Sequence, residues 1–248
     1  MVVRAMKKRV ALVTGAGSGI GRATALALLD AGYGVACGYN TSRMGAERIA
    51  KGRDACAVKI DIASRASVQR AIAAVKKQFG RDIDILVNNA ALVQEKPFER
   101  ITDADWDRMQ AVNLRGAFIT AQEILPGMAA RKWGRIVNIA SIGGQWGGMR
   151  QVHYAAAKAG LINLTHSLAR LYSPHGITAN AVSPGLVETA MIAKELRSKG
   201  GRQKAAQIPL GRIARPEEIA AGVIYLASDA AAYVTGQTLN INGGMLMS

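Results

Sequence analysis

The sequence has no apolar run approaching the roughly 20 residues that a membrane-spanning helix needs. Stretches such as VALV at 10–13, IDILV at 83–87 and RIVNIA at 135–140 are strand-sized and end at glycine or charge, so no membrane partner is expected. Cysteine is scarce as well. Cys37 and Cys56 each sit in an apolar, strand-like run, which suits small buried hydrophobes in a reducing cytoplasm and not a disulfide framework. The three histidines, His153, His166 and His175, have no cysteine or carboxylate at ligand spacing, so no metal site is expected. Acids are few, 17 against 32 lysines and arginines, and the formal net charge is +15. That excess fits a nucleic-acid or membrane-surface binder, an enzyme whose partners carry phosphate or are acidic proteins, or simply a solvated basic surface. The basic residues are spread along the chain, with dense clusters only at 7–9, 130–135 and 197–204.

What is present is apolar and rich in glycine. With 248 residues, half of them hydrophobic, the chain is long enough for one large core, and residues 1–248 read as a single domain without a repeat. The basic opening is followed only by VALV and then by glycines, which reads as a first strand and not as a signal peptide. That strand runs into Gly15-Ala16-Gly17-Ser18-Gly19-Ile20-Gly21 and then into a helical pattern. Strand, glycines and helix in this order expose backbone N–H groups to a pyrophosphate at a helix N-terminus, where the dipole favours anions. Gly15, Gly17, Ser18, Gly19, Ile20 and Gly21 are therefore candidate cofactor contacts.

An acid that would hold a ribose 2′-hydroxyl belongs about 20 residues further on. The second strand instead ends in Tyr39-Asn40-Thr41-Ser42-Arg43. With no carboxylate to repel a 2′-phosphate and with Arg43 and Arg22 nearby, NADP(H) is favoured over NAD(H), and Asn40 and Arg43 are candidate contacts. A third strand ends at Asp61-Ile62, where the carboxylate could reach an adenine or cap the next helix. A fourth ends at Asn88-Asn89, followed by Ala90, and its asparagines could knit the sheet edge or line a cleft. Pro126 is expected to kink or end the helical stretch that begins at Thr102. A later strand ends at Pro184-Gly185, a basic, glycine-interrupted segment over 188–208 reads as a flap, and QTLNI closes the series. About seven strands alternating with helices predict an α/β fold, a doubly wound parallel sheet with helices on both faces.

The stretch Ser141–Lys158 carries the candidate chemistry. Tyr154 and Lys158, four residues apart in YAAAKAGLINLTHSLARL, share one helix face. An ammonium beside a phenol is expected to lower the phenol's pKa from about 10. Ser141 ends RIVNIAS, at the carboxyl end of a strand, where open α/β sheets place their ligands.

Together TGAGSGIG at 14–21, NNAA at 88–91, Asn113, Ser141, Tyr154 with Lys158, PG at 184–185 and INGG at 241–244 resemble the short-chain dehydrogenase/reductase family over essentially the whole chain. HYAAAKAGLINLTHSLAR, SPGLVETAM and TLNINGGMLMS are most similar to 3-oxoacyl-[acyl-carrier-protein] reductases and acetoacetyl-CoA reductases. The resemblance implies a Rossmann-type fold and reduction of a 3-oxoacyl thioester, on acyl carrier protein or CoA, by NADPH. It makes Tyr154 the proton donor and Lys158 the group that tunes it and holds the nicotinamide ribose. Ser141 would bind the carbonyl oxygen, Asn113 would hold a relay water, and Thr189, with Val187 in the same PGLVET segment, would meet the nicotinamide. A homotetramer in the cytoplasm is implied too. The chain departs from the pattern at Ala91, Ser18 and His175. Trp146, Gln151 and Met149 are expected beside the substrate, with Arg131, Lys132, Arg135 and the flap cations steering an anionic carrier. A sugar or polyol dehydrogenase is the alternative enzyme. A catalytically idle basic binding protein is the alternative of another class, against which the intact Asn113, Ser141, Tyr154 and Lys158 set argues, so no nucleic-acid partner is expected.

Overall fold

In the computed structural model, which describes residues 8–189 and 199–247, seven strands form one parallel sheet in the order β3-β2-β1-β4-β5-β6-β7. They are β1 (Val10–Val13), β2 (Gly34–Tyr39), β3 (Ala55–Lys59), β4 (Ile85–Asn88), β5 (Gly134–Ile139), β6 (Ile177–Pro184) and β7 (Thr238–Ile241). Every residue of β1, β4, β5 and β6 is buried, as expected of parallel strands covered on both faces. The pleat divides them between two cores. Leu12, Leu86 and Ile136, in register across three strands, face Val68, Val75, Ile124 and Leu125. Val13, Val87 and Val137 face Ala25, Leu28, Ile219 and Val223 on the other side.

The helices are α1 (Gly19–Asp30), α2 (Arg43–Ala50), α3 (Arg65–Phe79), α4 (Asp103–Gln110), α5 (Gly116–Ala130), α6 (Gly143–Trp146), α7 (Val152–Tyr172), α8 (Lys199–Ala206) and α9 (Pro216–Ala227). The chain winds outward from β1 to β3 and then returns to β4 on the other side of β1. The reversal opens a crevice at the carboxyl ends of β1 and β4, where such sheets bind ligands. No helix among the described residues is long and apolar enough to cross a membrane.

Two local expectations are corrected. The helix does not end at Pro126 but runs to Ala130, because buried Leu125 and Met128 anchor that turn to the core. β3 stops at Lys59, short of Asp61. Between α4 and α5, residues 111–115 form a π-helical turn, a local widening of the helix. Of the segment expected as a flap, 188–208, part lies outside the described residues, Arg197 included.

Candidate active site

The glycine turn is held by its neighbours. Gly15 has φ +67°, and a β-carbon there would lie 3.0 Å from Ala90 Cα; one at Gly21 would lie 2.3 Å from the Gly15 carbonyl oxygen. Thr14 Oγ1 accepts from the N–H groups of Asn89 and Ala90, and Asn89 Nδ2 donates to the carbonyls of Thr14 and Gly15 at 2.9 and 3.2 Å. Asn89 thus braces the turn with its side chain. Ser18 caps α1 without a side-chain hydrogen bond, and the first turn holds no acid. The N–H groups of Gly19, Ile20 and Gly21 have no partner within the helix, so the turn fits a pyrophosphate. Thr189 stands over it, since a β-carbon on Gly19 would lie 3.2 Å from Thr189 Cγ2.

Beyond the turn, the end of β2 carries a cation that the sequence reading missed. Lys59 pairs in register with Tyr39 across β2 and β3, and its Nζ donates to Asn40 Oδ1 at 2.9 Å and to the Asn40 carbonyl. Parallel pairing of the two strands was the signal that could have found it. Arg43 is exposed and engaged by Glu47 at 2.7 Å. Asp61 Oδ1 accepts from Ala63 N, while the α3 cap is Ser64. Ile62 and Val187 are buried in the core, Val187 bridging to Ala214. The Pro184 carbonyl accepts from Ile142 N, and Gly185 N donates to the Ile241 carbonyl.

Ser141, Tyr154 and Lys158 come together where β5 ends. Ser141 Oγ accepts from Gly143 N at 3.1 Å, which leaves its own proton free, and it is hydrogen-bonded to the Tyr154 hydroxyl. Lys158 Nζ lies 5.6 Å from the Tyr154 ring centroid and donates to the Ile139 carbonyl at 2.6 Å. A β-carbon on Gly144 would sit 2.7 Å from the Lys158 carbonyl carbon, so α6 lies against α7 only because that residue is glycine. Asn113, buried in the π-helical turn, accepts from Leu92 N at 3.0 Å and donates to the Leu92 carbonyl at 2.9 Å.

The electrostatics correct one expectation. The phenol pKa is not lowered: burial of the hydroxyl end pushes Tyr154 up to about 12, and the bond from Ser141 only partly offsets this. Burial also pushes Lys158 down to about 8. Desolvation is the largest cause at both groups, and the ammonium donates to the Ile139 carbonyl. Tyr154 is therefore protonated at neutral pH, the form a donor requires. Cys37 and Cys56 are free thiols pushed up to about 12 and about 11 by burial.

The steering cluster is also corrected. Arg131 bonds Asp82 at 2.9 Å and the Ile83 carbonyl at 2.7 Å, and it lies 3.3 Å from Asp84. Arg135 is buried and stacks on Trp133. Both stand at the amino end of β5, and six residues of extended chain from Arg135 put Ser141 roughly 20 Å away at the opposite end of the strands. Trp146 is 52% exposed and Met149 95% exposed, so they form an open rim and not an enclosed pocket. Gln151 lies within 3.5 Å of Glu95 on the same rim.

An anion-binding turn and a protonated phenol that share the crevice at a parallel sheet's switch point give this chain the layout of a nucleotide-dependent oxidoreductase. Residues 15–246 match the family model described as Enoyl-(Acyl carrier protein) reductase. The chain belongs to the short-chain dehydrogenase/reductase family. It is similar to the 3-oxoacyl-[acyl-carrier-protein] reductase FabG of Staphylococcus aureus (strain Mu50), 42% identical over 245 residues, covering 96% of this chain and 98% of the relative. The protein of the same name from Pseudomonas aeruginosa is 42% identical over 248 residues, covering 98% of this chain and 99% of the relative. That of Vibrio cholerae is 40% identical over 244 residues, with the same coverage.

Proposed function

We propose that the protein reduces the 3-keto group of an acyl thioester to the 3-hydroxy form, with NADPH as the reductant and Tyr154 as proton donor. The observation that carries the chemistry is the meeting of Ser141, Tyr154 and Lys158 at the end of β5, with the Tyr154 hydroxyl paired with Ser141 and Lys158 Nζ 5.6 Å from the Tyr154 ring centroid. The substrate class rests on the names of the full-length relatives. A bound nicotinamide supplies the hydride that goes to the carbonyl carbon. Ser141 holds the carbonyl oxygen, and Tyr154 gives that oxygen its proton as the carbon–oxygen π bond breaks. The buried Lys158 ammonium stabilises the phenolate left behind, and its low pKa lets it pass a proton on near neutral pH. Asn113 completes the proton path beside the Leu92 loop. Gly15, Gly17, Ser18, Gly19, Ile20 and Gly21 seat the pyrophosphate under Thr189, and Pro184, Gly185 and Val187 form the nicotinamide wall. Asp61, Ile62, Asn89 and Ala90 border the adenosine side.

Preference for the phosphorylated cofactor is supported by the lack of a carboxylate at 39–43 and by the Lys59 ammonium at Asn40. Exposed Phe118 and Leu171 on α5 and α7, with Met247 at the carboxyl end, support a homotetramer. The whole is a single cytoplasmic domain, with 188–208 as its flap and acyl carrier protein or CoA as the carrier. Tyr154→Phe tests the roles. NADPH oxidation with a 3-oxoacyl thioester should collapse while NADPH still binds by fluorescence titration; retained turnover with lost binding would reassign Tyr154.

A further inference from the structure

His153 precedes Tyr154 in α7 and has no solvent exposure, yet the proposed chemistry does not use it. Its Nε2 lies 2.8 Å from Gln94 Oε1, and Gln94 Nε2 donates to Asp105 Oδ1 at 2.9 Å. Its Nδ1 is buried without a partner. Gln110 Nε2 donates to the His153 main-chain carbonyl at 3.0 Å.

These contacts fix the protons. Asp105 also accepts from Lys96 Nζ and from the N–H and hydroxyl of Thr102, which hold its carboxyl well below the usual range, so it is ionised and can only accept. Gln94 must then turn its amide nitrogen to Asp105 and its oxygen to the imidazole. An amide oxygen only accepts, so His153 Nε2 carries a proton. Burial favours the neutral ring, against the pull of Asp105 and together with the push of Lys96. Nδ1 therefore holds a bare lone pair, and a second proton there would be a buried charge with no acceptor.

We infer that His153 is a positioning residue: the hydrogen-bond chain Asp105–Gln94–His153, locked in one direction, ties the loop over 92–97 to α7 and sets where Tyr154 stands. The inference rests on Tyr154 being the proton donor. The same loop is also held by Asn113 at Leu92, by Lys96 N donating to the Arg150 carbonyl at 2.8 Å, by Lys96 Nζ at Asp105 and by Gln151 Nε2 at Glu95. Among the described residues, the Gln94 bond is the loop's tie to the α7 side chain that adjoins Tyr154. Removing it should loosen that register while the loop keeps its other ties.

The test uses the full chain labelled with ¹⁵N in histidine, read by two-bond ¹⁵N–¹H spectra, with exposed His166 and His175 as internal references. His153 should show the Nε2–H tautomer unchanged from about pH 8 to about pH 5.5, a range that spans the ordinary imidazole pKa of about 6.5. In Gln94→Met, similar in length but without the amide, the single tautomer should be lost. In that variant kcat with acetoacetyl-CoA should fall on the order of tenfold or more, while the thioester KM and the NADPH Kd stay within about twofold. Asp105→Asn, which can donate or accept, should give a mixture of tautomers. An Nδ1–H ring, protonation of His153 within that pH range, or wild-type kcat in folded Gln94→Met would overturn the inference. A wild-type protein with the locked ring that reduces no 3-oxoacyl thioester would count against the proposed activity and not against the lock.

Discussion

Lys158→Met is expected to make the protein inactive and more stable. Lys158 is only 2% exposed, and burial pushes its ammonium from 10.5 to about 8. A shift of that size corresponds to about 3 kcal/mol of penalty on burying the charged form. The bond from Nζ to the Ile139 carbonyl offsets about 1.5 kcal/mol. Methionine, similar in volume and without the charge, should thus stabilise by about 1–2 kcal/mol at neutral pH, a rise of a few degrees in Tm for a chain of this length. The pH dependence gives the sign. The folded pKa lies below the unfolded one, so the penalty is full below about 8 and relaxes as pH rises towards 10.5, where the unfolded lysine also loses its proton. The variant's advantage should therefore shrink over that window. Urea unfolding near pH 7 and near pH 9.5 measures the gap. A variant less stable than wild type at pH 7, or a gap that does not change with pH, would refute the reasoning.

Other substitutions separate the two edges of the sheet. Arg131→Ala should cost about 1–3 kcal/mol in thermal unfolding by removing a partner of buried Asp84, yet leave kcat/KM for an acyl thioester unchanged; a lower kcat/KM would return Arg131 to the substrate. Lys59→Glu should weaken NADPH binding far more than NADH binding, since it places a carboxylate at Asn40 where a 2′-phosphate would approach; equal losses in two fluorescence titrations would remove Lys59 from cofactor selection.

The sheet and the glycine turn were legible because local pattern and tertiary role coincide there. VALV is apolar throughout, and ILVN and RIVNI are mostly so, because both faces are covered, and the turn's glycines are demanded by contacts to Ala90 and Gly15 that any ligand-ready turn would make. The shared face of Tyr154 and Lys158 followed from helical spacing alone. Their pKa values did not, because burial depends on what packs around them and outweighs their mutual charge. Arg131 misled because nearness in sequence to Ser141 spans the whole length of β5. Lys59 was missed for the converse reason, being brought to Asn40 by strand pairing. The π-helical turn at Asn113 and the Asp105–Gln94–His153 chain join residues from separate elements, and no sequence periodicity marks them.

The most direct test of the proposed activity is the initial rate of NADPH oxidation with acetoacetyl-CoA, set against a panel of uncharged ketones and sugars under the same conditions. The proposed activity predicts a kcat/KM for the thioester higher than for any neutral ketone or sugar by on the order of a hundredfold. A kcat/KM for an uncharged ketone or sugar equal to that for the thioester would contradict it.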